Sequence, residues 1–493
     1  MSGRYASEWV RPRRRKGEGV IPIRPVPKPY AWGSHDRLQS LVPSMRDMRG
    51  PLAELWYGGH PQSPSMVVLG DDEMALDAAI RRDPEHMLGT VVSRRWGPAL
   101  PYLLKMIAVR TPLSLQVHPL DFEARAGFHR ENAAGVPLDA DVRSFRDERG
   151  KSEMVVALDD FRASIGFAPV ALQLAALRLI DHDLARLMVR LLEGDAVAMS
   201  SAADDCMPPA AASWGRSERN IFRAFWLAVT AGQGVCDCDV WKSTDWLPLL
   251  IAAQDRASRM GAVGGGETSF MIDGVRSALG NAVDAARTFP GDSAVLALAM
   301  MNAVHLAPGM GAFISTGVPH AYIRGTAVEI MTNSDNVLRA GLTVKHRDVP
   351  NLLRNLRPSP EPVRRPESFA VADGVLYRPG LDEFSLKYGV VNALDPYAAA
   401  VGVSSDAHPW YETSAIAPPP ECVDRPRVLV CLSGELRSRV GRVTDADANR
   451  GGLRTVAMRQ GDAVFIPAAD GPVSIDGGNE TTGGTYLLAS TGL

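Results

Sequence analysis

Gln116 and His118 stand two residues apart, directly after the strand-like Leu113-Ser114-Leu115. In a strand, residues i and i+2 project to the same side, so an amide oxygen and an imidazole could reach one ion. Two further donors occupy comparable places. Glu153 lies in Lys151-Ser152-Glu153, ahead of Met154-Val155-Val156-Ala157-Leu158, and His320 lies in Pro319-His320-Ala321-Tyr322, after Ala312-Phe313-Ile314. Two imidazoles, a carboxylate and an amide form a nitrogen/oxygen set suited to zinc or a similar divalent ion. A single Q-x-H is a weak signal, because polar side chains near strand ends usually satisfy local backbone. Four donors at strand edges carry the reading.

The elements that must position these donors change character along the chain. From about Ile21 to Phe167, short apolar stretches broken by Pro and Gly predict strands, with a helix near Asp71 to Arg82. From Pro169 the period lengthens: Leu177, Ile180, Leu184, Leu187, Met188 and Leu191 recur at three- and four-residue steps, which predicts one helix face. Phe222, Phe225, Trp226, Leu227 and Val229 fit a second helix, and the Ala-rich Ser293 to Leu306 a third. The run Gly264-Gly265-Gly266 reads as a connection rather than a phosphate cradle, since no Lys-Ser/Thr follows it. Strand-like text returns after Pro308-Gly309, so a helical block interrupts a β domain. The Pro-rich stretch Pro358 to Pro366 predicts a linker to a C-terminal unit.

Composition narrows the function classes. With 493 residues, 46% hydrophobic and 22% charged, the chain has the make-up of an ordinary soluble globular protein with two or three structural units. A formal net charge of −3 argues against general affinity for nucleic acid or acidic membranes, and the basic run Arg11 to Lys16 reads as a solvated tail. No apolar stretch of signal-peptide or membrane-spanning type is seen, which predicts a cytoplasmic protein. Five cysteines make no disulfide framework, and Cys236-x-Cys238 has no second pair to complete a zinc site. Cys206, Cys422 and Cys431 read as packing residues.

The segments Leu113 to Pro119, Lys151 to Met154, Gly317 to Tyr322 and Ser334-Asp335-Asn336-Val337-Leu338-Arg339-Ala340-Gly341-Leu342-Thr343 occur in that order. So do Tyr30-Ala31-Trp32-Gly33-Ser34, Ala53-Glu54-Leu55-Trp56-Tyr57-Gly58-Gly59-His60-Pro61 and Pro101-Tyr102-Leu103-Leu104-Lys105. This series resembles the type I mannose-6-phosphate isomerases, zinc-dependent cupin enzymes, from near the N-terminus to about residue 355. The resemblance implies a mainly β fold with an α-helical insertion, built on cupin (double-stranded β-helix or jelly-roll) barrels. The expected organisation is a basic tail over 1–20, a catalytic cupin domain over 21–167 and 307–360, and an inserted helical domain over 168–306. A C-terminal cupin-like barrel is expected over 367–493. In that last unit Val428 to Leu432, Ser433-Gly434-Glu435 and Gly461-Asp462-Ala463-Val464-Phe465-Ile466-Pro467 alternate strand and turn, but no His follows Pro467, so no metal is expected there.

The resemblance implies interconversion of mannose 6-phosphate and fructose 6-phosphate through a cis-enediol(ate), with one zinc ion per chain. It assigns Gln116, His118, Glu153 and His320 as ligands and places Arg339 in the active site, where a permanently charged guanidinium can fork onto two oxygens. Glu329, between Val328 and Ile330, could act as a proton carrier if burial raises its pKa, although a structural Glu paired with Arg or Lys fits the same position. Ser114 and Lys345 match phosphate-contact positions. Their clustering around the ligands adds Lys151 to the catalytic set and Lys105 to the substrate-binding set. One departure is marked: where the family has Asn-His-Lys-Pro-Glu, this chain has Arg149-Gly150-Lys151-Ser152-Glu153, which puts the route of ring opening and the preferred sugar in question. An isomerase of another sugar or sugar phosphate, and a non-catalytic sugar-binding cupin, are the alternatives. A redox-iron cupin dioxygenase fits Gln116 less well. The expected partner is a small sugar phosphate, with a monomer or small homo-oligomer as the assembly.

Overall fold

A computed structural model describes residues 20–69, 72–195, 200–231, 244–261, 267–371, 373–391, 424–440, 454–478 and 483–493. The basic tail over 1–19, Cys236, Cys238, the triple glycine 264–266, His408 and Cys422 lie outside the described residues.

Among the described residues two antiparallel sheets dominate, one of ten strands and one of eleven. The spine of the ten-stranded sheet is the long strand His320–Thr332. Its first half pairs with Phe161–Phe167, and its second half with Tyr102–Val109 and Glu153–Ala157. The changeover occurs at Gly325, whose φ is +118°, and a Cβ there would lie 2.4 Å from the Asp160 carbonyl oxygen. Only glycine accepts that backbone angle and that approach. Leu115–Val117 lies beside the start of the spine and also pairs with Leu338–Gly341.

The eleven-stranded sheet is built around Arg427–Val440, which pairs with Ala463–Ile466 and Gly484–Ser490. It also takes in strands from the other end of the chain. Ile21–Arg24 pairs with Ala463–Ile466 on one side and with Met66–Leu69 on the other, and Met66–Leu69 pairs in turn with Asp72–Ala75. Met106, Met154, Val156, Val328 and Ile330 from the first sheet share a core with Val428, Val430, Phe465 and Leu487 from the second. The Tyr102 hydroxyl ties the two, donating to the carbonyls of Pro426 at 3.1 Å and Ala489 at 3.2 Å. The 358–366 stretch is not a free tether: Phe313 N–H donates to the Arg364 carbonyl at 2.8 Å.

Most of the described residues between Phe167 and Met301 are helical, and these helices share a core with Leu115, Val117, Leu338, Ala340 and Leu342. Two expectations are corrected here. The periodic face from Leu177 to Leu191 belongs to two helices, Val170–Arg178 and Asp183–Glu193, because the His182 imidazole caps the second by accepting from Leu184 N–H at 3.1 Å. Of the Ala-rich segment 293–306 only Val295–Leu298 is helical, whereas Met301–Leu306 is a strand paired with Phe161–Phe167. The helix expected from Asp71 forms over Leu76–Arg82, preceded by the strand Asp72–Ala75. No helix among the described residues is long and apolar enough to cross a membrane.

Candidate metal centre and active site

Strand registry brings the predicted donors together. His320 opens the spine strand and is paired directly with Gln116, which is in turn paired with Arg339. Glu153 opens its own strand, between Ile314 and Met331 of its neighbours. The ligand atoms of His118, Glu153 and His320 lie within 4.8 Å of one another, and all three residues are buried. Gln116 Nε2 stands 3.0 Å from His320 Nε2, and Ser114 Oγ donates to Gln116 Oε1 at 3.3 Å.

The protonation pattern of the imidazoles follows from their neighbours. His118 Nδ1 is 2.9 Å from the Asn336 carbonyl oxygen and His320 Nδ1 is 3.0 Å from that of Val318. A carbonyl can only accept, so each Nδ1 carries a hydrogen and each Nε2 is the nitrogen turned to the cluster. Burial, reinforced by the charge of Lys151, pushes the His118 pKa down to about 3, which keeps the ring neutral. Its buried Nε2 has no hydrogen-bond partner among the described residues, although Glu153 Oε1 is 3.1 Å away. His320 Nε2 lies 3.4 Å from Glu153 Oε2. The neutral His118 ring thus turns a lone pair toward the ionised Glu153, with His320 Nε2 in the same cluster, an arrangement that calls for a cation between them. Tying each Nδ1 to a carbonyl is also what orients metal-ligating histidines. The donor set fits a divalent ion.

A charged network surrounds the cluster. Burial opposes the ionised form of Glu153, but Lys151, at 2.6 Å, outweighs it and holds the carboxyl well below its ordinary range. Glu329 and Lys105 face each other across adjacent strands, 2.8 Å apart, with side chains 5% and 7% exposed. Burial, reinforced by Glu153, raises the Glu329 pKa against the pull of Lys105 and Lys151. For Lys105, burial opposes the charge, but Glu329, Glu54 and Glu153 overcome it and keep the amine protonated above its usual range. The directions agree physically: Lys105 sits among three carboxylates, whereas Glu329 has a like charge close by. The Tyr322 hydroxyl joins the two halves, donating to Glu329 Oε1 at 2.9 Å with Glu153 Oε2 at 3.3 Å. Burial and both carboxylates push that phenol well above its usual pKa.

Two predicted cations stand apart from this network. Arg339 is partly buried, and no hydrogen bond or ion pair engages its guanidinium among the described residues. Burial is the main cause lowering its pKa, with Arg146 acting in the same sense and Asp335 opposing. Lys345 lies on the exposed turn that follows, its ammonium 4.5 Å above the Tyr30 ring, and its pKa is lowered by burial of the amine and then by Arg339.

Several residues of the site carried no assigned role in the sequence. Tyr322 stands two residues after His320 in the same strand, which was a readable signal. Asn336 and Asp147 form the bracket behind His118: Asn336 Nδ2 donates to the carbonyls of Asp147 at 2.9 Å and Arg149 at 2.8 Å, and Asp147 accepts from Ser334 and Asp335. Trp56 Nε1 donates to Glu54 Oε2 at 2.5 Å, while Lys105 lies 5.1 Å from the Trp56 ring centre. At the departure, Gly150 N–H donates to Asp121 Oδ1 at 2.7 Å, and a Cβ would sit 2.9 Å from that oxygen and 3.0 Å from the Pro119 carbonyl. This backbone leaves position 150 no room for a side chain.

Fold and cluster define a mainly antiparallel β protein with a buried centre of two imidazoles and one carboxylate, of the kind that holds a divalent ion. Residues 20–170 match the family description "Phosphomannose isomerase type I, catalytic domain". The chain is 30% identical to mannose-6-phosphate isomerase of Salmonella typhimurium over 455 residues, covering 91% of this chain and 95% of that protein. It is 28% identical to the human mannose-6-phosphate isomerase, covering 69% of this chain and 74% of that one. A crystal structure of the Salmonella typhimurium enzyme bound to substrate and zinc superposes with a TM-score of 0.66 at 25% identity, covering 96% of this chain and all of that one. The chain belongs to the mannose-6-phosphate isomerase family.

Proposed function

We propose that this protein is a zinc-dependent aldose-ketose isomerase that interconverts mannose 6-phosphate and fructose 6-phosphate through a cis-enediol(ate). The observation that carries the reading is the buried convergence of His118, Glu153 and His320 beside the Lys105–Glu329 pair and the unpartnered Arg339. Family membership and the relative bound to zinc and substrate support it. Gln116, His118, Glu153 and His320 would hold one zinc ion, which supplies positive charge where negative charge develops on the sugar.

The remaining roles belong to the chain itself. Glu329, buried and biased toward its protonated form, carries the proton between C1 and C2, the poise a general base needs near neutral pH. Tyr322 orients that carboxylate, and Lys105 supplies its counter-charge at the substrate side. Lys151 keeps Glu153 ionised and projects charge toward the reacting carbons. Arg339 stabilises the enediolate with a fork of donors that no group among the described residues occupies. Ser114 and Lys345 receive the phosphate, with Arg339 and Lys345 forming a partly desolvated cationic wall.

The two sheets are read as cupin barrels, the C-terminal one without metal; the only histidine beyond residue 367, His408, lies outside the described residues. The catalytic unit is assigned to 21–167 and 307–360, the helical insertion to 168–306 and a non-catalytic unit to 367–493, with the N-terminal strands shared between the sheets. A cytoplasmic setting suits a sugar-phosphate substrate. Metal analysis of protein never exposed to chelator, followed by a coupled isomerase assay, tests the reading. About one zinc per chain with isomerase activity is expected. Metal-free protein with full activity would sink it.

A further inference from the structure

The turn that carries Lys345 is held by a residue of the helical segment. Leu342 is the only non-glycine residue with a positive φ, +57°, among the described residues, and it is buried. That conformation is costly for a leucine and persists only where the surroundings impose it. The imposing group is Asp292. Its Oδ2 accepts from Leu342 N–H at 2.8 Å and from Arg347 Nη2 at 2.7 Å, so one carboxylate oxygen closes both ends of the turn. Oδ1 accepts from Ala294 N–H at 3.0 Å, which fixes the carboxylate on its own loop. That loop is anchored in turn: Ser293 Oγ donates to the carbonyls of Ala228 at 2.7 Å and Ala231 at 2.9 Å, at the end of the helix Arg216–Thr230. Gly341 lets the two segments meet, since a Cβ there would lie 2.3 Å from the Ala294 Cβ.

Within the turn, Lys345 N–H donates to Thr343 Oγ1 at 3.0 Å and Arg347 Nη2 also reaches the Thr343 carbonyl at 3.3 Å. The Arg339 carbonyl accepts from Asp348 N–H at 3.1 Å, so the segment from Arg339 to Asp348 is one closed unit with Asp292 as its pin. The charge of Arg339 acts on Lys345, and like charges cannot be held near one another by their own interaction. We propose that Asp292 is a positioning residue through which the helical insertion sets the affinity of the site for the phosphate of its substrate, by holding the left-handed Leu342 turn that presents Lys345 beside Arg339.

This inference rests on the sugar-phosphate reading above, and the experiment separates the two. Asp292→Asn and Asp292→Ala are compared with the parent protein in kcat, KM for mannose 6-phosphate, inhibition constant for inorganic phosphate, and zinc content, each alone and in a Lys345→Ala background. The expected result for Asp292→Ala is a rise of about tenfold in both KM and the phosphate inhibition constant, with zinc content kept and kcat within about twofold, the signature of lost ground-state binding. In the Lys345→Ala background the same change should add less than about twofold, because residues acting through one network are not additive. Asp292→Asn, nearly isosteric, should show the same pattern at smaller scale and serves as the decisive variant if Asp292→Ala fails to fold. Parental KM and phosphate inhibition in folded variants would overturn the proposal, as would an equal rise in both backgrounds or a fall in kcat alone. A parent protein that neither isomerises mannose 6-phosphate nor is inhibited by phosphate takes down the functional reading and this inference together.

Discussion

Replacing Lys105 with methionine, which keeps an unbranched side chain one atom shorter and removes its charge, isolates the energetic role of the buried Lys105–Glu329 pair. At 2.8 Å and an effective dielectric of about 20, the attraction is roughly 6 kcal/mol before desolvation. Burying two ions cancels most of that, so the intact pair contributes little net stability, whereas losing one partner costs about 3–5 kcal/mol. The cost depends on pH. Burial and Glu153 already raise the Glu329 pKa, and loss of Lys105 raises it further. A carboxyl raised in the folded state binds its proton more tightly there than in the unfolded chain. Its stabilisation is therefore complete below the unfolded value of about 4.3 and is lost as pH rises through the folded one. The Lys105→Met deficit should be small at pH 5 and approach its full value at pH 8. Urea unfolding of chelator-treated parent and variant at both pH values measures it without interference from metal loss. Adding Glu329→Gln should recover most of the deficit at pH 8, since the neutral pair leaves no buried charge. A variant as stable as the parent at pH 8, a deficit no smaller at pH 5, or a double variant no better than Lys105→Met would each refute the reasoning.

Arg339→Ala should retain zinc and fold while lowering turnover by roughly a hundredfold, the scale of one preorganised electrostatic donor; Arg339→Lys should recover only part of that in steady-state kinetics, for want of the planar fork. Removing metal with a chelator should abolish isomerase turnover and zinc addition should restore it, while His118→Ala and His320→Ala should lose zinc by elemental analysis, because an incomplete ligand shell binds weakly. Tyr102→Phe should lower stability by about 1 kcal/mol in denaturant titration, since its buried hydroxyl serves the carbonyls of Pro426 and Ala489, and should leave turnover unchanged.

The convergence of Gln116, His118, Glu153 and His320 was legible because it obeys local rules: Gln116 and His118 are two apart, Glu153 and His320 each open a strand, and strand pairing then forces His320 beside Gln116. Tyr322 was legible by the same rule but lacked a partner until the bend at Gly325 brought Glu329 within reach. The bracket of Asn336 acts through a backbone carbonyl, a group every residue possesses, so no residue type announces it. The broken helix after Arg178 was hidden because Leu177, Ile180, Leu184, Met188 and Leu191 all enter one core, and the apolar period runs on through the break. The strand Met301–Leu306 follows directly on the Ala-rich 294–299, so no shift of composition marks the boundary, and pairing with Phe161–Phe167 decides it. The sharing of N-terminal strands with the C-terminal sheet had no local trace, because partner choice across the length of the chain leaves no period in either strand.

That sharing has a consequence for synthesis. Ile21–Arg24 is among the first described elements to leave the ribosome, and its partner Ala463–Ile466 among the last. At about 10 residues per second the interval is roughly 40 s. For that time the inner edge of Ile21–Arg24 has no native partner, and an unpaired apolar edge is a template for pairing with other chains. A nascent chain stalled before residue 463 would hold His118, Glu153 and His320 yet still expose that edge. Yield in a cell should therefore track translation speed and chaperone supply across the last third of the message more closely than any property of the zinc centre.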